Sequence, residues 1–274
     1  MKNYILLLIV IFLIGNVHGQ SKKAIEDHSS EILVVAHRGA HNRFPENSIS
    51  SIKEAIELGV DMVEIDVRHT KDNMMILMHD ETLDRTTNGK GLVSEHTWEE
   101  IKGLQLKNND GTVSAYNIPL LKDILMKFKD RILFDLDIKT PYFVSVIELV
   151  ELTKSSSACF FLLDDEDKAM FLRRRNNDLK ILFAPKDETS LLKVMEQIKP
   201  EIIHLNDKIN TKLVNSIVKK AGSRTFINSL WNIDRIILEN SENFHKLYQH
   251  GANMIQTDYP EILLRHLRIN KLHK

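Results

Sequence analysis

The sequence predicts an α/β protein built as a single closed (β/α)8 barrel. Apolar runs of strand length recur along the 274 residues. Each is followed by a segment whose apolar residues repeat every three to four positions. Eight such strand–helix units are the number that closes a parallel barrel. An open doubly wound sheet is the alternative, because periodicity does not report closure, but no glycine-rich dinucleotide motif follows the first strand.

The predicted strands are short runs rich in branched and aromatic residues. They cover residues 32–36, 61–67, 132–138, 159–163, 180–184, 202–205, 224–230 and 253–257. The segments between them have helical periodicity: Ile49, Ile52 and Ile56, for example, fall on one helical face between the first two strands. A hydrophobic content of 43% is sufficient for the large core that this architecture needs.

Residues 81–116 interrupt the alternation of strands and helices. The segment is largely polar and contains two strong turn signals, Asn88-Gly89 and Asn109-Asp110-Gly111. It lies between the second strand and its helix, and loops at that position surround the catalytic mouth of a barrel. We therefore predict one barrel domain over residues 31–274, with a small insertion at its catalytic face.

The first segment of the chain has the features of a signal peptide over residues 1–19. Lys2 supplies a positive charge, and Tyr4–Ile14 is an apolar run too short for a comfortable membrane span. Val17-His18-Gly19 then places small residues at the cleavage-determining positions. We predict cleavage there, a flexible lead-in over residues 20–30, and a periplasmic or secreted protein. A retained anchor is the alternative.

Charge and cysteine content narrow the possible partners. The formal net charge of -1 gives no electrostatic footprint for nucleic acid, and it argues against stable adhesion to membrane after signal cleavage. The only cysteine, Cys159, cannot form an internal disulfide, and we interpret it as a small buried hydrophobe. We expect a small molecule as the partner, and the oligomeric state stays open.

Two predicted strands carry charge on one face and aliphatic residues on the other. Period-two alternation places Glu64 with Asp66 in MVEIDV, and Asp135 with Asp137 and Lys139 in FDLDIK. Carboxylates this close repel each other, and burying them unpaired is costly. A divalent cation removes the problem, and oxygen ligands without a thiolate favour Mg²⁺ or Ca²⁺.

Further charged residues end neighbouring apolar runs and converge on the same mouth. His37 and Arg38 follow the first strand, and His79 follows the run MMILM. One dication together with Lys139 and Arg38 exceeds the charge of three carboxylates by about one positive charge. One phosphodiester anion would neutralise this excess. The two histidines can then serve as general base and general acid near neutral pH.

An ordered set of motifs spans nearly all of the mature chain. It consists of His37-Arg38-Gly39, Pro45-Glu46-Asn47-Ser48, Glu64-x-Asp66, His79-Asp80, Arg85-Thr86-Thr87, Ile118-Pro119, Asp137-Ile138-Lys139 and Thr257-Asp258-Tyr259-Pro260. In this set the chain resembles the glycerophosphodiester phosphodiesterase family. The resemblance implies a barrel fold, a divalent metal, and hydrolysis of glycerophosphodiesters to sn-glycerol 3-phosphate and an alcohol.

The resemblance also implies a role for each matching residue. Three carboxylates would hold the metal ion, namely Glu64, Asp66 and Asp137. The acid–base pair would be His37 and His79, and the phosphate would be bound by Arg38 and Lys139.

The chain departs from the family pattern at three places. Asp137 stands where the family usually has glutamate, which is one methylene longer. Asp135 is acidic where a neutral residue is expected, so it is either an extra ligand or the partner of a nearby cation. On the seventh strand Asn228 falls where a tryptophan is expected, and Trp231 follows. We take both as candidate substrate-binding residues, and the alcohol of the substrate stays open.

Two other functions remain open at this point. A phosphodiester lyase of the phospholipase C or D type would act on intact lipid with the same scaffold, and an apolar rim on residues 81–116 would favour it. A secreted relative that kept the pocket but lost turnover would act as a binding protein.

We interpret two further histidines, His41 and His69, as structural residues.

Overall fold

The computed structural model describes residues 31–230, 232–239 and 241–274, and it confirms the predicted barrel. Its strands are β1 (Leu33–Ala36), β2 (Met62–His69), β3 (Met75–Leu77), β4 (Gln105–Lys107), β5 (Val113–Asn117), β6 (Leu133–Ile138), β7 (Cys159–Leu163), β8 (Lys180–Phe183), β9 (Ile202–His204), β10 (Arg224–Asn228) and β11 (Met254–Thr257). Strands β1, β2 and β6 to β11 run parallel. Because β1 pairs with both β2 and β11, the sheet closes on itself.

Helices follow the barrel strands and cover their outer faces, and one further short helix, Trp98–Ile101, lies in the insertion. They are α1 (Ile49–Leu58), α2 (Trp98–Ile101), α3 (Leu121–Phe128), α4 (Phe143–Leu152), α5 (Glu166–Arg175), α6 (Glu188–Gln197), α7 (Lys212–Lys220), α8 (Asn232–Glu239), α9 (His245–Tyr248) and α10 (Pro260–Ile269), with 3-10 turns at Val93–Glu95 and Ser241–Phe244. Helix α1 illustrates how capping residues set the two ends of a helix. Ser48 caps its first turn in a capping box with Ser51, and Gly59 ends it in the left-handed region at φ 82°.

The two faces of the barrel strands have different partners. On β2, Val63, Ile65 and Val67 pack outward in the large core under the helices, whereas Met62 belongs to the apolar interior. That interior floor is made by Leu33, Val35, Met62, Leu133, Ala158, Phe160, Leu182, Ile202, Phe226 and Met254. Side chains two residues further along the same strands therefore lie above an apolar floor, at the carboxyl ends of the strands.

Strand β3 is a part of the sheet that the sequence did not reveal. It runs antiparallel to β2, with Val67 opposite Leu77 and His69 opposite Met75. The backbone N–H of Met78 then donates to Asp66 O at 3.1 Å. This antiparallel return brings the chain back to the mouth immediately before His79.

The predicted insertion folds as a small unit beside this strand. Its residues form one 3-10 turn, α2 and the β4–β5 hairpin. They pack against β3 and the segment after β5 in a shared apolar cluster, made by Ile76, Met78, Leu83, Val93, Ile101, Leu106 and Ile118.

Three sequence predictions lie outside the described residues. They are the signal peptide over 1–19, the lead-in over 20–30, and the placement of Trp231. Within the described ranges, no helix combines the length and the apolar content that a membrane crossing requires. The predicted strands agree with the observed ones to within two residues at each end, and Cys159 is buried as expected.

Candidate active site

Three carboxylates meet at the mouth of the barrel. Glu64 and Asp66 come from β2 and Asp137 from β6, and one oxygen of each lies within 4.8 Å of the other two. Asp66 is opposite Asp137 in the register between these strands. Glu64 and Asp66 are buried, whereas the Asp137 side chain is 33% exposed. Asp135 lies opposite Glu64, one layer deeper.

The electrostatics of this cluster call for a cation. Burial raises the pKa of Glu64 well above its usual range, and the charges of Asp66, Asp137 and Asp135 raise it further. A set of three carboxylates fits a hard divalent cation such as Mg²⁺ or Ca²⁺, because both prefer oxygen ligands. Asp135 is outside the group of mutually close oxygens, so the structure favours Glu64, Asp66 and Asp137 as the metal-holding set.

Lys139 and Arg38 bring positive charge to the cluster. Lys139 Nζ donates to Asp137 Oδ2 at 2.6 Å and lies 3.2 Å from Asp66 Oδ1. Arg38 donates from its backbone N–H to Glu64 Oε2 at 2.9 Å and from Nη1 to Glu46 Oε1 at 3.0 Å. Arg38 Nε is buried, 3.3 Å from Asp66 Oδ2, but makes no hydrogen bond to any described residue. It is a donor at the cluster that an anionic oxygen can satisfy.

The turn after β1 needs a left-handed backbone at two positions and has no room for a side chain at the second. Arg38 has φ 52° and Gly39 φ 84°, and a Cβ on Gly39 would lie 2.4 Å from Ser51 Oγ. Asn47 closes this turn by donating its N–H to Arg38 O, and its side chain donates to Asp66 Oδ2 at 2.7 Å. The Asp66 N–H donates back to Asn47 Oδ1 at 3.1 Å. The turn is therefore held against β2, which carries Glu64 and Asp66.

His37 is oriented by a carboxylate that directly follows the last barrel strand. Its Nδ1 lies 2.7 Å from Asp258 Oδ1, and its Nε2 lies 3.9 Å from Glu64 Oε2. Burial alone would raise the pKa of Asp258, but hydrogen bonds from His37 and His41 outweigh it and lower that pKa. An ionised carboxylate on Nδ1 makes Nδ1 the protonated nitrogen and leaves Nε2 with its lone pair at the cluster.

His79 has a matching arrangement on the loop after β3. Its Nδ1 lies 2.7 Å from Asp80 Oδ1, and its side chain is 37% exposed. Arg85 donates two hydrogen bonds to Asp80 and two to Glu46. The hydrogen bond from Arg85 has the largest effect on Asp80 and lowers its pKa. Burial opposes this change, and the hydrogen bond from His79 adds to it. Both histidines thus use Nδ1 for a carboxylate and keep Nε2 available.

The structure does not bring every predicted residue together. Asn228 ends β10, and its buried Oδ1 has no hydrogen-bond partner among the described residues. No described contact joins it to the carboxylates, and Trp231 lies outside the described residues. His69, interpreted as structural, donates to or accepts from Thr140 Oγ1 at 2.8 Å and contacts the Tyr142 ring.

Several residues that orient the site had no role in the sequence prediction. They are Glu46, Asn47, Asp80, Arg85, Asp234 and Asp258. Most belong to the motifs quoted above, and Asp80 directly follows His79, so motif membership was the available signal. Asp234 had none: it accepts from Thr257 Oγ1 at 2.8 Å and from the Asp258 N–H at 3.0 Å, and thereby fixes the backbone that carries Asp258.

A cavity of about 390 Å³ opens beside Asp137. Its walls combine apolar side chains, among them Ile138, Phe143 and Leu162, with the charged Asp164 and Lys168, and the His204 ring lies at one side. Burial lowers the pKa of His204 to about 4, so this ring is neutral at physiological pH. The cavity is next to the carboxylates and provides space for an organic group of a ligand held there.

Comparisons with known proteins give the family of this chain. Residues 37–261 match the model of the glycerophosphoryl diester phosphodiesterase family. A glycerophosphodiester phosphodiesterase from Caldanaerobacter subterraneus subsp. tengcongensis is 31% identical over 249 residues, which cover 86% of this chain and 98% of that protein. One from Bacillus altitudinis is 29% identical, covering 83% and 95%.

Solved structures share the fold. A glycerophosphoryl diester phosphodiesterase from Parabacteroides distasonis superposes with a TM-score of 0.82 at 22% identity, covering 91% of this chain and 92% of that one. A phosphodiesterase from Oleispira antarctica, solved in complex with the product sn-glycerol-3-phosphate, gives a TM-score of 0.71 at 20% identity and covers 87% and 97%. From the family match and the 31% identical relative, the chain belongs to the glycerophosphoryl diester phosphodiesterase family.

Proposed function

We propose that this chain hydrolyses glycerophosphodiesters to sn-glycerol 3-phosphate and an alcohol, with one divalent cation, Ca²⁺ or Mg²⁺. The observation that carries the proposal is the pair of histidines at a three-carboxylate cluster, each held through Nδ1 and each with Nε2 available. The relatives named above support the substrate class, and the product complex of the Oleispira antarctica protein supports sn-glycerol 3-phosphate as the product.

The histidines divide the proton transfers. His37 Nε2 takes a proton from the attacking water as the oxygen–phosphorus bond forms. His79, in its protonated form, gives a proton to the alcohol oxygen as its bond to phosphorus breaks. We assign His79 as the acid because its more exposed side chain lies on the outer side of the mouth, where an alcohol can leave.

The cationic side chains bind the diester. Arg38 Nε offers a buried donor that makes no described hydrogen bond, and Lys139 Nζ lies between Asp66 and Asp137. When bound by Glu64, Asp66 and Asp137, the cation supplies charge neutralisation for the phosphate oxygens. Burial would lower the pKa of Lys139, but the charges of Asp137 and Asp66 raise it, so Lys139 stays cationic.

The test is turnover of a panel of glycerophosphodiesters with choline, ethanolamine, serine, glycerol and inositol as the alcohol. The protein is dialysed against chelator, and release of sn-glycerol 3-phosphate is measured before and after adding Mg²⁺ or Ca²⁺. A His37→Ala/His79→Ala double variant controls for contaminating activity. Binding of all substrates without turnover in the metal-loaded protein would replace this proposal by the binding-protein function.

One observation favours a second candidate, a lyase acting on lipid. The insertion exposes the apolar side chains of Leu92, Val113 and Tyr116, and an exposed apolar surface is one mark of a membrane-contacting region. The same assay with phospholipid and lysophospholipid vesicles decides between the two. A cyclic phosphate product detected by ³¹P NMR would support the lyase, whereas sn-glycerol 3-phosphate from soluble diesters supports the hydrolase.

We also propose that the protein is exported after removal of residues 1–19. The support is the sequence pattern of Lys2, the apolar run Tyr4–Ile14 and the small residues before Gln20. Intact-mass measurement of the exported protein tests this directly. A mass that includes residues 1–19 would contradict it and favour the retained anchor.

A further inference from the structure

The carboxylate that holds His37 also holds a second histidine. Asp258 Oδ1 lies 2.7 Å from His37 Nδ1 and 3.1 Å from His41 Nε2. The two rings approach edge to face, with centroids 6.4 Å apart, and the His41 side chain is only 12% exposed. We propose that His41 is a positioning residue for catalysis: held by the insertion hairpin, it fixes Asp258 and through it His37. This inference rests on the proposed function.

The hydrogen bonds determine which nitrogen of each ring carries a proton. Asn109 Nδ2 lies 3.3 Å from His41 Nδ1 and donates to His41 O at 3.0 Å. An amide N–H donor at Nδ1 makes that nitrogen the acceptor, so His41 carries its proton on Nε2. Both histidines then donate to the same oxygen of Asp258, and His37 Nε2 keeps its lone pair.

Asp258 needs such support because only its backbone is fixed otherwise. Its N–H donates to the buried Asp234 at 3.0 Å, and neighbouring Thr257 donates to the same carboxyl group. The described ion pairs of the Asp258 side chain are with His37 and His41. Without His41, one histidine and water would set the Asp258 rotamer. The direction of His37 Nε2 would then be less sharply defined.

Hydrogen bonds within the hairpin tip fold it into a closed turn next to His41. The Asn108 N–H donates to Thr112 O at 2.9 Å, and the Gly111 N–H donates to Asn108 O at 2.9 Å. Asp110 Oδ1 accepts from both the N–H and the hydroxyl of Thr112. The tip of the β4–β5 hairpin thus contacts both the backbone and the ring of His41, although the hairpin is distant in sequence from the first barrel turn. This contact gives the insertion a part in ordering the catalytic base.

Substitutions at His41 separate this role from general stability. His41→Ala should lower kcat roughly 10- to 100-fold, with KM, melting temperature and metal affinity unchanged. His41→Gln should keep most of the activity, because the glutamine amide can place an N–H donor near the position of Nε2. His96→Ala is the matched control: His96 is also in the insertion, but its Nε2 contacts Lys90 O.

A double-mutant cycle supplies the sharper test. Asp258→Ala keeps the backbone N–H to Asp234, and in that background His41→Ala should cause no further loss of kcat. In ¹⁵N NMR of the metal-free protein, His41→Ala should change the His37 tautomer ratio. Turnover by the wild type establishes the enzyme independently, and absence of wild-type turnover would count against the proposed function. Wild-type kcat in His41→Ala, or an equal loss in the Asp258→Ala background, would overturn the role of His41.

Discussion

Glu64 on β2 and Asp135 on β6 are partners in the parallel register, and both carboxyl groups are buried. Asp135 Oδ1 has no hydrogen-bond partner among the described residues. Burial raises the pKa of Asp135 well above its usual range, and the charges of Asp137 and Asp66 add to it. Asp135 therefore adds to the repulsion at the cluster without reaching the three mutually close oxygens.

This arrangement makes Asp135 and Asp137 distinguishable by substitution. We predict that Asp137→Ala lowers affinity for Mg²⁺ or Ca²⁺ at least tenfold, whereas Asp137→Glu binds as tightly or more tightly. Asp135→Asn should leave that affinity within about threefold and raise the melting temperature of the metal-free protein, because a neutral amide replaces a buried carboxyl. Titration calorimetry and thermal melts measure both. Sharply reduced affinity in Asp135→Asn alone would assign the ligand role to Asp135.

Metal removal is the second prediction. Exhaustive dialysis against chelator should abolish turnover, and Mg²⁺ or Ca²⁺, rather than Zn²⁺, should restore it, because the set of Glu64, Asp66 and Asp137 offers oxygen ligands alone. The melting temperature should fall with the metal removed, as binding to the folded state stabilises it. Full turnover in protein shown to be metal-free by elemental analysis would contradict this.

The sequence predicted the barrel and the carboxylate cluster for a definite physical reason. Alternation with period two placed Glu64 and Asp66 on the face opposite Val63 and Ile65, and the interior floor below them matches that pattern. Positions within one strand follow from local geometry. The strand ends agree for the same reason, since each apolar run is bounded by polar or turn residues.

Contacts between distant segments were not predictable in this way. The antiparallel direction of β3 depends on its pairing with β2, because the apolar run alone specifies neither direction nor partner. Asn109 meets His41 across 68 residues of chain, and Asp234 meets Asp258 across 24. A lone histidine after a strand is usually structural, and local sequence does not report that His41 shares Asp258 with His37.

The two histidines that we propose as base and acid should show separable defects. His37→Ala and His79→Ala should each lower kcat by about 10²- to 10⁴-fold, with little change in metal affinity or melting temperature. On a nitrophenyl ester, whose leaving group departs without protonation, His79→Ala should reach most of the wild-type activity. His37→Ala should not. The reverse pattern would exchange the acid and base roles, and wild-type turnover in both variants would refute the acid–base mechanism.

Arg85 should matter more than its exposure suggests. Its side chain is 48% exposed, yet it donates to both Glu46 and Asp80 and so connects the partners of Arg38 and His79. Arg85→Lys cannot reproduce the paired donors. We predict a loss of roughly tenfold in kcat for Arg85→Lys, at unchanged melting temperature. Lys102→Ala, which removes an exposed ion pair with Glu99 in the insertion, is the control. Equal activity of both variants would contradict the role of Arg85.

A stability prediction concerns the opposite end of the barrel. His273 Nε2 lies 2.9 Å from Asp61 Oδ2, which also accepts from the Val34 N–H at 2.8 Å. Burial would lower the pKa of His273, but the hydrogen bond and charge of Asp61 outweigh it and raise that pKa. Because the folded-state pKa is the higher one, the stabilisation is complete below the unfolded-state value of about 6.5 and is lost as pH rises through the folded-state value.

We therefore expect His273→Ala to lower the free energy of unfolding by roughly 1–3 kcal/mol at pH 6, and by less at pH 9, because the wild-type ring loses its proton as pH rises through its raised pKa. Denaturant unfolding at both pH values, on metal-free protein, measures the difference. Asp61→Asn is the matched variant: in its background the extra cost of His273→Ala at pH 6 should disappear, because the ionised partner is gone. A cost of His273→Ala that is equal at pH 6 and pH 9 would show that the ring stabilises the fold by packing, without a contribution from its charge.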